Sequence, residues 1–169
     1  IYLHALTALF VIIDPIGAAL IFNSLTSNSD KHHRTVMAFK AVIISGVTLI
    51  LFGNYGETLF SQLGININSL RISGGLLLFY TAFKMITQEM EFSASNKSTD
   101  ISVFPMSIPL LAGPGTLTLS ILLFSHSTEA GGVVAVSAAI ISILALTLIL
   151  MLLSKNLKKI IQNGKLTLL

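Results

Sequence analysis

Five apolar stretches dominate this chain, running approximately from Tyr2 to Leu25, Val36 to Leu59, Leu70 to Thr87, Phe104 to Phe124 and Gly132 to Leu153. Each has the length, about 17–25 residues, that an α-helix needs to cross roughly 30 Å of hydrocarbon. Membrane-crossing β-strands would instead alternate apolar and polar side chains over about 10 residues, and these stretches do not. A soluble fold is excluded on surface grounds: 53% of the residues are apolar, only 10% are charged and the mean hydropathy is +0.87, so too little polar surface exists to cover a core. The chain therefore reads as all-α, a polytopic helical membrane protein forming a single transmembrane domain over residues 1–169.

Two of the stretches are broken near their centres. The first carries Asp14-Pro15-Ile16-Gly17, and the fourth carries Gly113-Pro114-Gly115-Thr116. Proline removes a backbone donor and clashes with the preceding turn, while glycine admits conformations other residues avoid, so both helices should be discontinuous. Main-chain groups freed in this way must be buried in protein or line a wet cavity. The N-termini of the resulting half-helices suit a carboxylate and the opposing C-termini suit an ammonium or a cation, so paired breaks suit a zwitterion. The substrate-binding residues expected from this argument are Asp14, Pro15, Gly17, Asn23, Ser73, Gly74, Gly113, Pro114, Gly115, Thr116 and Thr118. Asp14 is the sole acid well inside a span; it either carries a coupling proton or substrate ammonium, or caps the helix that begins at Pro15, and the two roles are compatible.

Pro15 and Pro114 stand 99 residues apart, and each broken stretch leads through a polar loop into a helix with a stripe of small residues. These stripes are Ala38, Ala41, Ser45 and Thr48 in the second stretch, and Gly131, Ala135, Ala138, Ser142 and Ala145 in the fifth; they read as packing seams. The third stretch opens with Arg71-Ile72-Ser73-Gly74-Gly75, whose glycines allow close packing or a local break and whose arginine snorkels to an interface. The spacing predicts an inverted 3+3 helix repeat, with residues 1–88 as the first repeat and 104–169 as a second, incomplete one.

Charge sets the expected orientation. With the N-terminus outside, nine of the ten Lys and Arg fall on the inner side (Lys31, Arg34, Lys40, Lys84, Lys97, Lys155, Lys158, Lys159 and Lys165) and only Arg71 falls outside. The basic pI near 9.3 is thereby assigned to membrane topology, and no nucleic-acid partner is expected. The chain has no cysteine, so it has no disulfide framework or thiolate site. His32 and His33 are adjacent, diverge in direction on a helix and have no third ligand nearby, so no metal is expected. His4 stands alone near the outer end of its helix, and no Ser/His or paired-acid constellation lies within the spans, so neither an enzyme nor a cofactor is expected. No acidic ring or filter-like repeat suggests a channel. The chain starts at Ile1 without a basic n-region, so no signal peptide is expected, and the natural N-terminus is expected to lie upstream.

Three strings carry a resemblance: Asp14-Pro15-Ile16-Gly17, Arg71-Ile72-Ser73-Gly74-Gly75-Leu76-Leu77-Leu78, and Phe104-Pro105-Met106-Ser107-Ile108-Pro109-Leu110-Leu111-Ala112-Gly113-Pro114-Gly115-Thr116. Together they resemble the MarC family over essentially the whole chain, and the last string is the most specific. The resemblance implies a bacterial or archaeal inner-membrane protein of six helices. It also implies, as for SnatA-type members, a transporter of small neutral amino acids such as glycine and alanine driven by a proton or cation gradient. The family's sixth helix has no counterpart here, because residues 154–169 are too polar and too short to cross; it is missing or truncated in this chain. Self-association into a homo-oligomer is left open. The competing expectations are a non-transporting membrane scaffold or regulatory protein, which would tolerate Asp14→Asn, and an exporter of another small metabolite.

Overall fold

The computed structural model describes residues 1–87 and 100–166. Their backbone forms α1 (Tyr2–Ile13), α2 (Pro15–Leu25), α3 (Lys31–Gln62), α4 (Ile67–Thr87), a π-helix (Ser102–Leu111), α5 (Pro114–Ser125), α6 (Ala130–Leu152) and α7 (Ser154–Leu166). No strand occurs among the described residues, and the all-α membrane reading holds. Three stretches, Tyr2–Leu25, Lys31–Gln62 and Ala130–Leu152, are long and apolar enough to cross a membrane. The fourth predicted span is realised in two pieces, the π-helix followed by α5, and the third as the 21-residue α4.

Both interruptions fall where proline and glycine place them. Asp14 closes α1 in the left-handed conformation, φ 47° and ψ 72°, and Pro15 then starts α2 at the position where a missing N–H costs nothing. In the second, Ala112 and Gly113 leave helical geometry before Pro114 starts α5. The coil ahead of this break is wider than an α-helix, and the sequence explains why. Pro105 and Pro109 stand four apart, and each ring would clash with the carbonyl four residues back. The carbonyl of Ile101, which Pro105 cannot serve, takes the N–H of Met106 instead at 3.2 Å, five residues on. At the other end the N–H of Ala112 reaches the carbonyl of Ser107 at 2.7 Å.

α3 is the central strut, packed against α5, α6 and the π-helix, while α6 carries α1 and α2, and α4 packs against α5. The seam on α3 runs through Ala38, Ala41 and Ser45 as expected, and continues through Leu49 to Gly53 and Gly56, which the sequence reading had not included. A Cβ at Gly53 would strike the ring of Phe124, and one at Gly56 would lie 2.7 Å from Ile121, so these glycines set how closely α3 and α5 approach. Thr48 is only half-buried and returns its hydroxyl to the carbonyl of Ile44 at 2.7 Å.

The stripe expected on α6 is corrected. Gly131 and Ala145 are exposed, and the buried face is Gly132, Val136, Ala139, Ile140, Ile143, Leu144, Thr147 and Met151. Branched side chains interlock with neighbours and gain more dispersion contact than a smooth alanine face, so the bulkier stripe turned inward. α4 runs unbroken through Gly74 and Gly75; Gly74 is a close-packing position, since a Cβ there would lie 2.6 Å from the Thr118 hydroxyl, whereas Gly75 faces open space.

Candidate functional site

The two breaks are bracketed by crossed contacts: α1 packs against α5, and α2 packs against the π-helix. α1 leads into the first break and α5 leaves the second, so each half-helix of one broken span packs against a half-helix of the other. The second break is the more enclosed. Ala112, Gly113, Gly115 and Thr116 are buried, and Thr116 is only 3% exposed. Gly113 has no side chain with which to cap α5, so the N-terminal amides of that helix have no side-chain acceptor. Among the described residues the Thr116 hydroxyl has no hydrogen-bond partner. Buried amides and a free hydroxyl at the positive end of a helix form a place for an oxyanion.

The first break is arranged differently. Pro15, Ala18 and Ala19 are buried, but Asp14 is exposed, and its carboxylate turns back to accept the N–H of Gly17 at 3.1 Å. Gly17 is required there, because any Cβ would overlap the Asp14 carboxylate. One helix start thus carries its own negative charge and the other lacks any, a polarity that a zwitterion could match.

The remaining predicted residues divide. Ser73, Gly74, Pro114 and Thr118 do come together, lining a largely apolar cleft of about 230 Å³ between α3, α4 and α5 together with Phe52 and Leu117. Their hydroxyls are already engaged: Ser73 donates to the carbonyl of Ser69 at 2.8 Å and Thr118 to that of Pro114 at 2.7 Å. Asn23 lies apart from both breaks, at the far end of α2, where it is buried and accepts a hydrogen bond from Arg34. Asp14 and Gly17 do not line the cleft. Among the described residues no group of three or more His, Asp or Glu is placed to hold a metal ion.

Sequence reasoning missed two features. Ser107 bridges helices by donating to the carbonyl of Ala41 at 3.0 Å, and Ser120, whose hydroxyl the sequence offers to the cavity beside Thr116 and Thr118, is instead spent in the same way on the carbonyl of Leu49 at 2.8 Å. The other is Asp100, which lies outside the spans. Its Oδ1 accepts from the N–H and hydroxyl of Ser102, and its Oδ2 meets Lys40 of α3 at 3.1 Å. The Ser102 hydrogen bonds, with a smaller contribution from Lys40, lower the Asp100 carboxyl from 3.8 to about 2. An acid two residues ahead of a serine at a helix start was the available signal.

Comparison with known proteins bears on this arrangement. The family described as MarC family integral membrane protein matches residues 1–169. The chain is 34% identical over 153 residues to the UPF0056 membrane protein YvbG of Bacillus subtilis, covering 85% of this chain and 72% of that one. A UPF0056 membrane protein of Methanocaldococcus jannaschii is 36% identical over 134 residues, covering 75% of this chain and 59% of its own. One from Archaeoglobus fulgidus is 33% identical over 135 residues, covering 76% and 63% respectively. The chain thus spans about three-fifths to three-quarters of the length of these relatives. No solved structure matches it.

Proposed function

The chain belongs to the MarC family of integral membrane proteins, and from that premise we propose that it is a secondary transporter of small neutral amino acids of the glycine and alanine class. The substrate is held between the two broken helices. Its carboxylate lies at the uncapped start of α5, against the amides of Gly115 and Thr116 and the Thr116 hydroxyl. Its ammonium faces the carbonyl ends of the opposing half-helices and the side of Asp14. Asp14, the one acid in the middle of a span, couples transport to a proton or cation. The protein sits in the inner membrane with its N-terminus outside, by the nine-to-one distribution of Lys and Arg.

The observation that carries this reading is a symmetry of packing. When α1 is exchanged with the π-helix, α2 with α5 and α3 with α6, every packed pair that these six elements form between the two halves has a counterpart: α1 on α6 with the π-helix on α3, α2 on α6 with α5 on α3, and α1 on α5 with the π-helix on α2, while α3 on α6 maps onto itself. Such an exchange is what an inverted repeat produces, and transporters built on inverted repeats hold substrate where discontinuous helices meet. The test is uptake or exchange of radiolabelled glycine, alanine and serine by proteoliposomes. Saturable flux of at least one is expected, and no flux of any would overturn the proposal.

One observation favours a second reading, a non-transporting scaffold: the Asp14 carboxylate already caps its own helix start by accepting the N–H of Gly17. That reading predicts no flux and full tolerance of Asp14→Asn.

A further inference from the structure

Arg34 is a buried charge without a counter-charge. It stands four residues into α3, is 6% exposed, and packs its guanidinium over the ring of Phe22 at 5.6 Å. Its hydrogen bonds come from Nη2 alone, to Asn23 Oδ1 of α2 at 3.3 Å and to Ser154 Oγ at the start of α7 at 2.9 Å. Both partners are neutral. Among the described residues the only ion pair is Lys40 with Asp100, so no carboxylate reaches Arg34, Asp30 one turn earlier included. Nε and Nη1 have no acceptor among the described residues, yet neither is sealed from the surface. A buried cation is costly unless an anion offsets it, and a guanidinium with unused donors is shaped to take two oxygens of one oxyanion.

We propose that Arg34, with Asn23 and Ser154 holding it in place, is an oxyanion site that takes the phosphate of an anionic phospholipid. Charge around it favours a lipid over a free anion. Lys31 and Lys155 are exposed beside the site, and the α7 sequence adds Lys158, Lys159 and Lys165 with no acid. A basic rim at one end of a helical bundle concentrates anionic headgroups, and the pocket between helices then selects one. The site lies away from both breaks and does not depend on transport.

The test is thermal unfolding of the delipidated chain in mild detergent with added dioleoyl-phosphatidylglycerol, dioleoyl-phosphatidylcholine or inorganic phosphate, with native mass spectrometry to count retained lipid. Phosphatidylglycerol is expected to raise the unfolding temperature and to be retained at one molecule per chain, while phosphatidylcholine does neither. Arg34→Gln should abolish both effects, whereas Lys155→Gln should keep them. Arg34→Lys, which preserves charge but loses the planar fork, should weaken binding about tenfold. A response of the wild type to phosphate alone, lost in Arg34→Gln, upholds the oxyanion site with a free anion as its ligand. Equal response to both lipids by the wild type, or an unchanged phosphatidylglycerol response in Arg34→Gln, overturns the proposal.

Discussion

Asp14 does two jobs with one side chain. A non-glycine residue in the left-handed region pays about 1–2 kcal/mol, which a short polar side chain reduces by bonding locally. The carboxylate at the head of α2 returns about 1 kcal/mol as a cap. Asparagine tolerates the same backbone and caps as well, so Asp14→Asn should leave the unfolding temperature almost unchanged, while Asp14→Ala loses both terms and should cost about 2 kcal/mol. Glycine flux through Asp14→Asn, measured beside its unfolding curve, then isolates the charge from the cap: a stable variant with flux reduced at least about tenfold assigns the charge to coupling or substrate, and a stable variant with full flux removes that role. The capping function was legible in the sequence, because Asp before Pro is a helix start. The partnership of Asn23, Arg34 and Ser154 was not. Arg34 and Ser154 are 120 residues apart, and no periodicity links a polar residue to a partner brought close only by tertiary packing.

Among the elements, the π-helix shows most clearly how a pattern was half understood. Gly113-Pro114-Gly115-Thr116 read as an interruption, and the interruption after Leu111 is real, but Pro105 and Pro109, four apart, also widened the coil ahead of it. This wide coil is fastened to α3 at its entry by Asp100. Its folded pKa of about 2 lies below the ordinary 3.8, so the carboxylate stabilises the fold above about pH 4 and that contribution fades as the pH falls through 3.8 toward 2. The side chain is 45% exposed, so solvent screens the pair with Lys40 and the contribution is small. Wild type should unfold at a higher temperature than Asp100→Asn at pH 5 and 6, and the difference should close between pH 4 and 2. Because other acids titrate over the same range, the difference between the two curves is the quantity to follow. A gap constant down to pH 2 would show that the Ser102 and Lys40 contacts do not hold the carboxylate.

At the scale of the whole molecule, the fold class was legible because lipid leaves few choices: long apolar runs must be helices. Which helix meets which was far less so. The seam on α3 could be seen from small residues at intervals of three and four, yet the same rule chose the wrong face of α6, because in that helix bulky side chains offered more contact than alanines. Orientation rests on charge and parity, and the absence of cysteine makes it directly testable. An inverted repeat requires the first broken span to run inward and the second outward. The turn after α2 and the turn after α5 must then lie on opposite sides, and the turn between α3 and α4 on the same side as the latter. Single cysteines replace Ser27, Gly64 and Thr128, all exposed. With a membrane-impermeant maleimide on intact cells, Gly64→Cys and Thr128→Cys should label, while Ser27→Cys should label only after the membrane is opened. If Ser27→Cys and Thr128→Cys react from the same side, the two broken spans run in the same direction. The packing symmetry would then have another origin, and a substrate held between opposed half-helices would lose its geometric basis.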